Sequence, residues 1–211
     1  MTLQINTFVL GPIENNTYLI SDKSSHQAVI IDPAAPSKKI TSFISQNNLI
    51  LKEIWITHAH FDHIAGVRWF LDYYKGDVKA VIHKNAVELW ENGGSAKDFG
   101  FDFDPGPTPQ VILSDIDSVA IGKYHFKVLH TPGHTPGHIT FYCPEANVAF
   151  CGDLIFYHGV GRTDLAISNT DDLMNSISSK ILPLPNNTRL YPGHGQYTSV
   201  GEEKKNNPFL K

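Results

Sequence analysis

Four times along this chain a stretch rich in strand-forming side chains runs out into a short turn carrying histidine or aspartate. The stretches are IWITHAHFDH (54–63), VLHTPGHTPGH (128–138), VAFCGD (148–153) and RLYPGHG (189–195). Imidazole nitrogens and carboxylate oxygens are the ligands of zinc, iron and manganese. In the last three stretches, the glycines and prolines beside them suit tight turns that aim a side chain at a fixed point. Any one of these histidines alone reads as an ordinary hydrogen-bonded residue, and Asp153 after Gly152 as a turn cap. HxHxDH as a unit at a strand-to-loop junction is far more specific. His58 and His60, two apart in an extended loop, project the same way, while Asp62 and His63 fall at the entrance of a helix. One loop could thus feed two ions.

The remaining punctuation sets the order of elements. LQINTFVL, NTYLIS and QAVIID are predicted strands of an antiparallel meander. A helix follows over 36–49, opened by Pro36-Ser37, then the strand LKEIWIT, an apolar-rich helix over 64–75, the strand DVKAVIH and a short helix over 84–93. Residues 93–111, with four glycines and three prolines, read as a long surface loop of the kind that covers sites. Strands resume at DSVAIG, YHFKVLHT, HITFYC and NVAFCGD, followed by a helix over 170–182, the strand ahead of PGHG and a terminal helix in SVGEEKKNNPFL. Two similar halves of strands and helices, with no linker between them, predict one α/β (α+β) domain over residues 1–211. Its two sheets pack together with helices outside.

Composition narrows the partners. A net charge of −4 and no Lys/Arg run longer than two argue against nucleic acid. No apolar stretch approaches membrane-spanning length, and the start lacks a charged segment leading into an apolar one, so a cytoplasmic, non-membrane protein is expected. Pairing Cys143 with Val148 in the CPEANVAFC hairpin puts Cys151 opposite Thr140, so the two cysteines are expected to be free and buried.

In this order, the four strand ends resemble the metallo-β-lactamase superfamily over nearly the whole chain. The resemblance implies a four-layer αββα sandwich with two divalent metal ions, zinc, iron or manganese, at the sheet edges. It implies His58, His60 and His134 on the first ion and Asp62, His63 and His194 on the second. Asp153 would bridge the two together with a hydroxide, and Asp62 and Asp153 would be the catalytic carboxylates. His130 and His138 would then be supporting residues. His26, His83, His125 and His158 match no motif, although His158 is a candidate pocket residue because it precedes GVGRTD.

GDLIFYHGVGRTDL followed by PGHG resembles the glyoxalase II group, hydrolases of hydroxyacylglutathione thioesters, in its short bacterial branch. Arg162 matches the position where that group places a basic residue for glutathione. The tyrosine that the group carries two residues past the last metal histidine is Gln196 here, with Tyr197 next. The longer enzymes' C-terminal helical domain for glutathione is not expected, and residues 93–110, with Phe99, Phe101 and Phe103, are an alternative substrate wall or core anchor. A lactamase is disfavoured by Asp153 and the complete HxHxDH. The expected activity is hydrolysis of a small-molecule thioester. The close alternative is a mononuclear iron persulfide dioxygenase using His58, His134 and Asp153, and behind it a catalytically idle metal-bound binding domain.

Overall fold

The computed structural model describes residues 3–115 and 117–211. Its first sheet is built from β1 (Leu3–Leu10), β2 (Asn15–Asp22), β3 (Gln27–Ile31), β4 (Ile50–Trp55), β5 (Lys79–His83) and β6 (Val111–Leu113), hydrogen-bonded in that order. The first three strands form the expected antiparallel meander. From β3 onward the pairing is parallel, with helices carrying the chain over one face. These are α1 (Lys38–Gln46), α2 (Phe61–Ile64), α3 (Val67–Tyr73) and α4 (Val87–Glu91). The second sheet takes β7 (Ser118–Ile121), β8 (Tyr124–His130), β9 (Ile139–Cys143), β10 (Val148–Gly152), β13 (Arg189–Pro192) and β14 (Thr198–Ser199). A small hairpin of β11 (Ile155–Phe156) and β12 (Gly159–Val160) stands apart, and α5 (Thr170–Ser176) and α6 (Val200–Asn206) follow in the sequence.

Three apolar clusters separate four layers. Between the sheets, Ile20, Val29, Trp55 and Val81 of the first face Phe126, Phe141 and Phe150 of the second. Trp55 stacks on Phe141 with ring centroids 5.1 Å apart. Outside the first sheet, Ile30, Ile54 and Ile82 meet Ile40, Ile44, Val67, Phe70 and Trp90 from the helices. Outside the second, Ala149, Cys151 and Leu190 meet Leu173, Ile177 and Val200. Alternation along each strand feeds both faces, as the pleat demands, and the result is the αββα order of layers.

The hairpin register pairs Cys143 with Val148, and both cysteines are free and buried. Three local expectations change. The apolar run 64–75 is broken after Ile64, because Gly66 donates its N–H to Pro33 O (2.7 Å) and sits so close to the Ala35 carbonyl that a Cβ would not fit. Residues 111–113, of which Val111 reads as the end of the loop and the other two carry no assignment, form an edge strand parallel to β5. The helix over 170–182 changes winding at Ile177, where five residues continue as a π-turn.

The sheets are also clasped by polar contacts. His83 at the end of β5 meets Asp115 (3.1 Å), and its ring stacks 4.4 Å from His130 at the end of β8.

Candidate metal centre

The carboxyl ends of β4, β8, β10 and β13 converge at one rim of the sandwich, and each delivers the residues that its sequence motif carries. His58, His60 and His134 offer ligand atoms within 4.8 Å of one another, and so do Asp62, His63 and His194. Asp153, buried at the end of β10, lies between the two groups. One of its oxygens is 3.3 Å from His63 Nε2, and the other is 3.7 Å from His134 Nε2 and 3.6 Å from His194 Nε2. His194 Nε2 is 3.3 Å from Asp62.

Hydrogen bonds behind the rim decide which nitrogen each ring turns inward. Thr57 Oγ1 donates to Asp32 (2.6 Å), so it can only accept from His58 Nδ1 at 3.1 Å. That leaves His58 Nε2 buried with a bare lone pair and no partner. His63 Nδ1 donates to Asp32 (3.0 Å), His134 Nδ1 to the Arg162 carbonyl (2.9 Å) and His194 Nδ1 to the Ile13 carbonyl (3.2 Å). Each of these rings therefore presents an Nε2 lone pair inward. His134 Nε2 faces His60 Nδ1 at 2.8 Å. Lone pairs of His63 and His194 face carboxylate oxygens. Each of these close contacts needs either a proton or a cation between its two atoms, and a rim of five imidazoles and two carboxylates gathered this closely is a donor set that fits two divalent ions.

Electrostatics agree. Burial, reinforced by neighbouring imidazoles, pushes His58 well below the ordinary histidine value and His60 down to about 3, so both stay neutral and ligand-competent. Burial raises Asp153 and Asp62, yet the histidines around them outweigh it and hold both carboxyls below their usual range. The same carboxylates overcome burial to raise His63 and His194. A field that attracts protons to that half of the site attracts a metal ion in their place.

Three residues that build this arrangement carry no motif. Asp32, at the end of β3, accepts from Thr57 N (2.8 Å), Thr57 Oγ1 and His63. Asn16 and Tyr18 of β2 hold the PGHG turn. Asn16 N donates to Gly193 O (2.6 Å), its side chain to the Pro192 and Gly195 carbonyls (3.1 and 2.7 Å), and Tyr18 Oη to Pro192 O (2.6 Å). Gly193 is needed because a Cβ there would run into Asp153 Oδ1 and His63 Cε1. Gly193→Ala should therefore weaken binding of an added divalent ion about tenfold to a hundredfold, read by competition with a chelator.

The other candidates separate. His138 is fully buried with Nδ1 on Thr131 Oγ1 (2.9 Å), and His130 Nε2 donates to Pro136 O (2.9 Å), so both brace the loop that carries His134. His158 pairs with Glu202 of α6 (2.8 Å) and does not line the cavity. That cavity, about 410 Å3, opens over the rim between Phe61, Phe99, Phe156 and Leu165, with His60, Asp62, His134, Asp153 and His194 at its base. Arg162 lines it as well, its guanidinium paired with Asp164 through two bonds of 2.7 and 2.8 Å. The 93–111 loop is pinned to the ligand loop by Phe61 N donating to Gly94 O (2.9 Å). Phe61 packs against Phe99 and Phe101 with centroids at 5.5 and 5.6 Å.

Comparison with known proteins agrees with this geometry. The hydroxyacylglutathione hydrolase GloC of Haemophilus influenzae is 33% identical over 222 residues, covering 99% of this chain and 98% of that protein. The crystal structure of BLEG-1 B3 metallo-beta-lactamase superposes with a TM-score of 0.92 at 34% identity, covering 99% of this chain and all of that one. TTHA1623 in a di-iron-bound form gives a TM-score of 0.87 at 36% identity, covering 97% and 100%. The profile of the metallo-beta-lactamase superfamily matches residues 10–194, and the chain belongs to that superfamily.

Proposed function

We propose that this protein is a metal-dependent hydrolase of small thioesters, acting on hydroxyacylglutathiones such as S-lactoylglutathione. The observation that carries the reading is Asp153, whose two oxygens face both donor groups at the base of a cavity that Arg162 also lines. The similarity to GloC supports the same choice of substrate. His58, His60 and His134 would hold one ion, Asp62, His63 and His194 the other, and Asp153 both; zinc, iron and manganese all suit these ligands. A pair of divalent ions supplies an activated water at neutral pH and a Lewis acid for the carbonyl oxygen.

The protein's own residues do the rest. Asp32, Thr57 and the carbonyls of Ile13 and Arg162 hold the Nδ1 side of His63, His58, His194 and His134, which keeps the Nε2 of each for an ion. Phe61, Phe99 and Phe156 give the cavity over the rim an apolar wall. Arg162 is placed to receive a carboxylate of the thiol carrier once it leaves Asp164. The thiolate that departs has an ordinary pKa of about 8.5, so it needs little acid assistance. The partner is then a small molecule and not a nucleic acid or a membrane, in keeping with a net charge of −4. Among the described residues no helix is long and apolar enough to cross a membrane. We place the protein in the cytoplasm, where free buried cysteines stay reduced.

The purified, metal-replete protein should hydrolyse S-lactoylglutathione, followed as loss of thioester absorbance. Arg162→Ala should raise KM about fivefold to tenfold with a smaller change in kcat, since the variant keeps the backbone carbonyl that orients His134. A folded, metal-loaded protein without thioesterase activity would reject the reading and favour a persulfide dioxygenase built on His58, His134 and Asp153.

A further inference from the structure

Beside the main cavity lies a second groove of about 210 Å3. Ile13, Phe61 and Asp62 belong to both, so the groove opens directly on the metal-binding rim. Its other walls are mainly apolar, with Leu10, Pro12, Phe101 and Phe103 prominent, and its two charged residues, Asp62 and Asp102, are both acidic. Ile13 and Phe101 are 46% and 51% exposed. An apolar trough that stays open to water beside a reaction centre is arranged to receive apolar matter. Among the described residues Arg162 is the one guanidinium or ammonium lining either space, and it lies on the main-cavity side.

This division of charge assigns the two halves of a thioester. We infer that the groove takes the acyl group, and that the preferred substrate carries an aliphatic acyl chain longer than lactoyl. The inference rests on the thioester-hydrolase reading above. An anionic thiol carrier finds its cation, Arg162, on the main-cavity side only, whereas the groove adds to the shared Asp62 a further negative charge at Asp102 and no positive one. A three-carbon acyl group would leave most of the groove unfilled. Hydrolysis itself is unchanged by chain length: the oxygen of water bonds to the acyl carbon, the carbon–sulfur bond breaks, and a carboxylate, a proton and a free thiol result.

The test keeps glutathione and the 2-hydroxyl constant and lengthens only the chain, from lactoyl through 2-hydroxyhexanoyl to 2-hydroxyoctanoyl. kcat/KM should rise about fourfold per added methylene, the equivalent of ~0.8 kcal/mol, until the groove is full. Phe101→Ala should lower the ratio of octanoyl to lactoyl turnover about tenfold, and Phe101→Leu should restore most of it. A flat or falling series with lactoyl turnover intact would overturn the acyl assignment and leave the thioesterase reading standing. A rising series that Phe101→Ala leaves untouched would overturn the assignment of this groove. Failure of every thioester would overturn both.

Discussion

Asp153→Ala should lower kcat/KM for the thioester about 10³-fold, the equivalent of ~4 kcal/mol of transition-state stabilisation, while the protein still folds. The side chain faces both candidate ligand clusters, within 3.3–3.7 Å of His63, His134 and His194. Without it Asp62 is the carboxylate left among the candidate ligands of the rim, so two divalent cations would sit close together with less charge between them. Folding should survive because Asp153 Oδ1 is buried without a hydrogen-bond partner and spans no part of the scaffold. The checks are steady-state kinetics, metal content per chain, and the circular dichroism spectrum of the variant. Retention of a tenth of the activity with two bound ions would show that Asp153 is dispensable to the chemistry.

Much of this fold was legible because its strands keep clean boundaries. LQINTFVL spans the same residues as β1, and the register of the Cys143–Val148 pair follows from a four-residue turn. Helix continuity was harder to read. The run IAGVRWFLDYYK has no proline, and its break at Gly66 comes from a carbonyl thirty-three residues earlier in the sequence. Strand β6 is three residues long behind a proline-rich loop, too short for alternation to register. The two-residue strands of the β11–β12 hairpin are invisible for the same reason.

The candidate site divides along a similar line. Side chains that would meet an ion come from four compact motifs, and their types announce the chemistry. The residues that orient them come from elsewhere in the chain and look ordinary. Asn16 reaches the Gly195 carbonyl across 179 residues of sequence, and Tyr18 reaches Pro192 across 174. Nothing in NNTYLIS marks either as part of the rim. Asp32 has a faint sequence trace: it too ends a buried strand and precedes a proline, as the three downstream strand ends carry His or Asp beside Gly or Pro. The three alternating phenylalanines divide once folded, Phe99 and Phe101 flanking Phe61 while Phe103 packs against the helical layer.

Asp32 carries the second large effect. It is buried with its backbone in the left-handed region (φ 48°), where an aspartate is tolerated better than most residues. Its oxygens receive the Thr57 amide at 2.8 Å, the Thr57 hydroxyl at 2.6 Å and His63 Nδ1 at 3.0 Å. Asp32→Ala leaves the Thr57 amide without an acceptor inside the protein and should cost about 2–4 kcal/mol of stability. Asp32→Asn separates scaffold from metal centre. Its amide oxygen can still accept from Thr57 N, but an NH2 turned towards His63 favours the opposite tautomer and puts a proton on Nε2, where an ion would bind. Metal affinity should then fall about 10- to 100-fold with most of the stability kept, measured by chelator competition and thermal melting of the metal-free protein. Wild-type metal affinity in Asp32→Asn would mean that Asp32 only ties β3 to the start of the ligand loop. A selective loss would show that a residue bound to no ion sets the proton state of one that is.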